Sequence, residues 1–207
     1  MKYLFFDSFE DIAVKEQPVK TTLWTSLNNT SGAFVTDEID AFDGKKSLKM
    51  VSDGKMGGWG FRSKAIPVEA GKKYTVEVSC KLSEESSSGY PQVYAEFHDK
   101  EKRLAPVGII SYTDSEWETL TNTTRAPKGT EYMTVLLYAP STMDFTAYFD
   151  NVKVYEFEGE DDGLTDEERY CDMKTENPIA RKDFPRLYLT KSSKEDIVTA
   201  VRDVFRK

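Results

Sequence analysis

The sequence predicts an all-β fold over residues 1–157, a jelly-roll β-sandwich of two antiparallel sheets. Three observations carry that prediction. Short runs alternate polar and apolar residues with period two, turn residues separate them at regular spacing, and no helical period survives more than a few residues before 157.

Lys46-Ser47-Leu48-Lys49-Met50-Val51 alternates, and so does the run from Lys73 to Cys80. The second puts Tyr74, Val76, Val78 and Cys80 on one face. Gln92 to His98 sends Val93, Ala95 and Phe97 toward a core and Gln92, Tyr94, Glu96 and His98 the other way. Further strands are predicted over 108–112, 116–125, 131–139 and 145–157. Asp43-Gly44, Asp53-Gly54, Ala70-Gly71, Ser86 to Gly89, Asp99 to Lys102 and Pro127-Lys128-Gly129 supply the turns.

Composition changes after 157. Glu158-Gly159-Glu160-Asp161-Asp162-Gly163 opens an acidic stretch with little apolar pattern, so 158–183 reads as a linker. Residues 184–207 read as the start of a following domain. Ser192 or Ser193 can cap a helix there, and Glu195 and Asp196 suit its N-terminal end. Ile197, Val198, Val201, Val204 and Phe205 share one side of that helix, which either opens a further domain or docks back on the sandwich.

The 207-residue chain carries a formal net charge of −8, which disfavours contact with nucleic-acid phosphates. It has no 18-residue apolar run, so no membrane span is expected. The apolar run near Met1 is too short for a secretory leader, so either the protein is cytoplasmic or a leader has been removed. Cys80 and Cys171 lack metal-ligand spacing and are expected as free thiols, with a disulfide as the lesser reading. The 12 Phe, 11 Tyr and 3 Trp serve either a β-rich core or a surface role.

Several segments together resemble a known family. Phe5-Phe6-Asp7-Ser8-Phe9-Glu10-Asp11 resembles the N-x-x-F-E opening of xylanase-associated carbohydrate-binding modules, with Trp24 following at a similar distance. The run from Asp43 to Met50 is similar to their G-x-x-S-L-x-V strand, and Ile66 to Tyr74 to their V-x-x-G-x-x-Y turn and strand. Glu116-Trp117-Glu118-Thr119-Leu120 resembles their tryptophan strand, and Ala126 to Thr130 the turn after it. Tyr148-Phe149-Asp150-Asn151-Val152 resembles the closing F-D-D-V strand, with Asn151 in place of the second Asp. The resemblance implies a galactose-binding-like jelly roll that is extracellular or cell-surface in its parent protein. Phe184-Pro185-Arg186-Leu187-Tyr188-Leu189-Thr190 resembles the H-P-R-L-x-L-T run that opens the helical catalytic region of heparinase II/III-like polysaccharide lyases, with Phe184 replacing the His. A polysaccharide-degrading domain is therefore expected to follow, its catalytic residues beyond Lys207.

The resemblance also implies a structural Ca2+ held by the side chains of Glu10 and Asp150, by main-chain oxygens near Ser8 and Lys46, and by Asp43. Calcium takes six to eight oxygens, commonly carboxylates and carbonyls from separate strands. A sugar site needs aromatic planes for C–H faces and polar neighbours for hydroxyls. Tyr94 with Gln92, Glu96 and His98 forms one such row. Trp59, flanked by small residues in Gly57-Gly58-Trp59-Gly60, suits an uncovered platform, and Arg62 beside it can bond a hydroxyl or pair with a uronate carboxylate. Trp24 and Tyr138 are further candidates, and Trp117 is assigned to the core. Each of these aromatics can alternatively be a core residue.

His98 is the only histidine, and neither a Ser–His–Asp set nor a phosphate-binding glycine motif can be assembled. The expected function is thus a non-catalytic module that targets an attached enzyme to its glycan. The rival is a β-sandwich that only packs against or spaces the catalytic domain. A free-standing enzyme would need a convergent acid–base site that the sequence does not offer.

Overall fold

The computed structural model describes residues 2–159, apart from 29, 31, 40, 56, 85–88 and 112–114, and apart from the side chains of 105–111. Cys171, the expected linker beyond Gly159, the segment from Phe184 to Thr190 and the expected C-terminal helix lie outside the described residues.

Two antiparallel sheets form the sandwich. The first contains β1 (Tyr3–Asp7), β3 (Ala33–Thr36), β4 (Ser47–Asp53), β7 (Lys73–Leu82), β10 (Glu118–Arg125) and β12 (Asp144–Glu156). Its order is β10-β7-β12-β4-β3, with β1 also paired to β12. The second contains β2 (Trp24–Leu27), β5 (Trp59–Ser63), β6 (Ile66–Pro67), β8 (Gln92–His98), β9 (Arg103–Ser111) and β11 (Tyr132–Ala139). Its order is β2-β5-β11-β8-β9, with β6 also on β11. One 3-10 turn, Pro18–Lys20, is the only helix among the described residues.

Alternation explains why these runs become strands facing one core. Tyr74, Val76, Val78 and Cys80 of β7 are all at most 2% exposed, as the period-two reading predicts. Val93, Ala95 and Phe97 of β8 meet Met133, Val135 and Leu137 of β11 in the same interior. Each large side chain fully buried in such a core contributes about 1.5–3 kcal/mol. The observed strands match the expected ones closely over 73–80, 92–98 and 131–139. Strand β9 starts at Arg103 rather than near 108, so the 99–102 turn is tight and Arg103 pairs directly with His98.

Strand β12 is the hinge of the first sheet. Its first half pairs with β4 and its second half with β1, while β7 runs along its other edge. Pairing with β7 shifts register between Asp150 and Lys153, where Asn151 has φ 47°. A bulge of this kind re-aims side chains. Here both Asp150 and Asn151 end up buried.

Candidate carbohydrate-binding face

The outer face of the second sheet is set by strand parity. Residues 93, 95 and 97 point inward, so Gln92, Tyr94, Glu96 and His98 share the opposite face. Antiparallel register places Tyr132 opposite His98, Thr134 opposite Glu96, Leu136 opposite Tyr94, and Tyr138 opposite Gln92. From β5, Arg62 pairs with Leu136 and joins this face, and Arg103 of β9 enters beside His98.

Glu96 organises the centre. Its side chain is fully buried although it lies on the outer face, because two arginines cover it. Arg62 Nε donates to Glu96 Oε2 at 2.6 Å, and Arg103 Nη1 donates to Oε1 at 2.7 Å. Thr134 Oγ1 donates to Oε2 at 3.2 Å. Burial works against the charged carboxylate, but the bonds and charges of Arg62 and Arg103 outweigh it and hold its pKa below the ordinary value. His98 stacks flat on Tyr132, centroids 4.8 Å apart at 2°, and its Nε2 lies 3.1 Å from Thr134 Oγ1. Burial pushes the His98 pKa down, with Glu96 pulling the other way, which favours the neutral imidazole. Arg62, His98, Arg103, Tyr132 and Thr134, with Glu101 and Lys102 of the β8–β9 turn, line an open cleft of about 430 Å3.

A pair of tyrosines lies on the same outer face as the cleft. Tyr94 and Tyr138 meet edge to face, centroids 6.1 Å apart at 72°, and both remain partly exposed. The Tyr94 hydroxyl donates to Gln92 Oε1. Gly58 makes room for the other ring: a Cβ there would sit 1.7 Å from the Tyr138 hydroxyl. Partly exposed rings fixed by neighbours, beside hydrogen-bonding groups, are what a sugar ring requires.

Three tryptophan assignments are corrected. Trp59 is 1% exposed and packs in the core, so its indole offers no face to a sugar. Parity is the reason: Trp59, Phe61 and Ser63 point inward while Gly60 and Arg62 point outward. Trp24 is 2% exposed; it stacks on Phe9, meets Phe5 edge-on, and donates its Nε1–H to buried Asp7 Oδ2 at 2.5 Å. It is a pillar of the core rather than a sugar platform. Trp117, expected in the core, is instead half-buried just before β10 and meets the exposed Phe42 edge-on.

The expected metal ligands gather at the opposite sheet. Glu10 Oε1 accepts the main-chain N–H of Lys45 and of Lys46, both at 2.7 Å. Lys46 Nζ donates to the carbonyls of Glu10 and Ile12 at 2.6 and 2.9 Å. Asp150 accepts from the Asp43 and Asn151 main chains. Burial first, then the nearby charges of Asp43 and Glu10, push the Asp150 pKa up to about 6 against those bonds. Asn151 Oδ1 is buried without a hydrogen-bond partner. Ser8 follows β1 in the loop that leads to Glu10. Among the described residues no three acidic, His or Cys side chains converge as metal ligands.

No family model matches the chain, and no curated protein matches it significantly. Solved structures do match. The xylan-binding CBM22-1 domain of Paenibacillus barcinonensis Xyn10C is similar at 18% identity and TM-score 0.53, over 77% of this chain and 97% of that one. The C-terminal family 22 carbohydrate-binding module of Clostridium thermocellum Xyn10B is similar at 19% identity and TM-score 0.53, over 77% and 96%. The N-terminal CBM22-1–GH10 modules of the same Xyn10B, solved with xylohexaose, match at 18% identity and TM-score 0.52, over 78% of this chain and 30% of that one. The sandwich thus has the jelly-roll fold of carbohydrate-binding modules. At such identities the likeness extends to the fold, and the site must be read from this chain's own residues.

Proposed function

We propose that residues 1–157 form a non-catalytic glycan-binding module that holds an attached polysaccharide-degrading enzyme on its polymer. The observation that carries this reading is the outer face of β8 and β11, where Tyr94 and Tyr138 stand partly exposed on the same face as the cleft. Matching structures named as carbohydrate-binding modules support it, as does a match whose name joins such a module to a GH10 module. Tethering would raise local enzyme concentration without tight binding, since a shallow wet groove buries little area. In this reading the parent protein is extracellular or cell-surface, and a lyase-like domain follows residue 184.

A structural Ca2+ belongs to the same proposal. Two observations support a hard cation although, among the described residues, three carboxylates do not converge there: Asn151 Oδ1 is orphaned, and the charges of Asp43 and Glu10 both bear on Asp150. Those side chains would hold the ion, which would supply positive charge at the β12 bulge and no catalysis. The Lys46 ammonium competes for this role, because it already brings a positive charge there and donates to the Glu10 and Ile12 main-chain carbonyls.

The spacer reading has one observation in its favour: Trp59 and Trp24, the largest candidate platforms, are buried. A gel-affinity screen of the 207-residue chain against neutral and acidic polysaccharides separates the two. Retention that disappears in Tyr94→Ala supports binding, whereas a folded protein retained by no polymer supports the spacer.

A further inference from the structure

We propose that the cleft selects a glycan bearing carboxylate groups, a uronic-acid polymer, through the paired guanidinium groups of Arg62 and Arg103. This rests on the glycan-binding reading and names its substrate class.

The argument begins with Glu96. Being fully buried, it cannot meet a sugar hydroxyl; its role is to position the two arginines. One carboxylate takes Arg62 Nε at 2.6 Å, Arg62 Nη2 at 3.4 Å and Arg103 Nη1 at 2.7 Å. Each planar group is thereby fixed along one edge and keeps further N–H donors. Arg62 remains 33% and Arg103 48% exposed, so those donors are within reach of a ligand.

Charge decides what kind of ligand suits them. The cleft is lined by Arg62, Arg103 and Lys102 against Glu101, with Glu96 beneath the two arginines and the Asp99 carboxylate acting on Lys102 and His98 at the turn. Burial disfavours a charge on His98, so it adds little to that balance. The side chains that line it therefore carry a surplus of positive charge, centred on the two arginines, in a chain whose net charge is −8. A neutral sugar laid over it would desolvate surplus guanidinium charge without compensation, which is costly. A carboxylate supplies the countercharge and matches the guanidinium fork in a two-point hydrogen bond. Tyr94 and Tyr138 remain to pack the sugar's C–H face.

Affinity electrophoresis of the 207-residue chain tests this. The gels would contain polygalacturonate, alginate, the same polymers after carboxyl reduction, neutral xylan, or a sulfated galactan. The Arg103→Gln variant, an exposed change, would run beside the parent protein. The expected result is retention by a uronate polymer, lost on carboxyl reduction and weakened at least about tenfold in Arg103→Gln, the scale of one charge-assisted contact. Equal retention by parent and carboxyl-reduced polymers would overturn the inference and leave glycan binding intact. Equal retention by the sulfated polymer would overturn carboxylate selectivity in favour of general anion binding. A folded chain retained by no gel would remove the glycan-binding reading itself.

Discussion

The Glu96 carboxylate, wholly shielded from solvent, takes the Arg62 Nε–H at 2.6 Å on one oxygen and the Arg103 Nη1–H at 2.7 Å on the other. One strand's buried acid thus ties β8 to both β5 and β9 across the outer face. Removing its charge leaves two guanidinium groups facing each other. Glu96→Gln should lower unfolding free energy by about 1–3 kcal/mol in urea titration. An unchanged midpoint would mean that solvent screens the arginines fully.

His98 and Glu96 each lower stability as pH falls, whereas Asp150, with its pKa raised to about 6, binds its proton first in the folded chain and works the other way between about pH 6 and 4. The His98 pKa lies below its unfolded value, so the unfolded chain binds that proton first and stability falls as pH drops below about 6.5. The Glu96 pKa is also depressed; its contribution is complete above about pH 4.3 and is lost as pH falls toward its folded value. Thermal melts across pH 7 to 3 of the parent beside Thr134→Val, which removes the hydroxyl facing both groups and leaves Asp150 untouched, should differ in the His98 and Glu96 limbs.

The buried and exposed aromatics should behave oppositely on truncation. Trp24→Ala or Trp59→Ala should cost about 3–5 kcal/mol, the scale of emptying a large core site. Tyr94→Ala should cost far less stability and abolish polymer retention. If Trp59→Ala stayed as stable as the parent, the packing described around that indole would be wrong.

Two glycines carry separate predictions. Gly44 has φ +73° and a Cβ there would come 2.5 Å from Glu10 Oε1, so Gly44→Ala should destabilise by about 1–2 kcal/mol. Gly58→Ala would collide with the Tyr138 hydroxyl, so it should weaken polymer binding more than it lowers the melting temperature.

If Ca2+ joins Glu10, Asp43 and Asp150, adding millimolar Ca2+ should raise the melting temperature and EDTA should lower it. No response to either, with Lys46→Met destabilising, would assign the cation's role to the lysine.

Much of the fold was legible in the sequence, because alternation in β7 and β8 fixes their inward residues without reference to anything distant. The site was legible only in part. The Gln92, Tyr94, Glu96 and His98 row was readable by parity, but the burial of Glu96 depends on Arg103, a partner from the next strand. The Asp99 to Lys102 turn signal could have found it, since a tight hairpin brings residue 103 back beside His98. Trp59 was misread because its glycine neighbours suggested openness, whereas parity with Phe61 pointed inward. Trp24 gave no such sign. Its partner Asp7 lies 17 residues away, and only the assembled core brings them together.

Polymer retention by the outer face tests the central claim most directly. Affinity electrophoresis of the 207-residue chain beside Tyr94→Ala and Tyr138→Ala, each shown to be folded by its melting curve, is the measurement. Retention of the parent protein, lost in both variants, is the predicted result. Parent and variants migrating alike in every gel would contradict it.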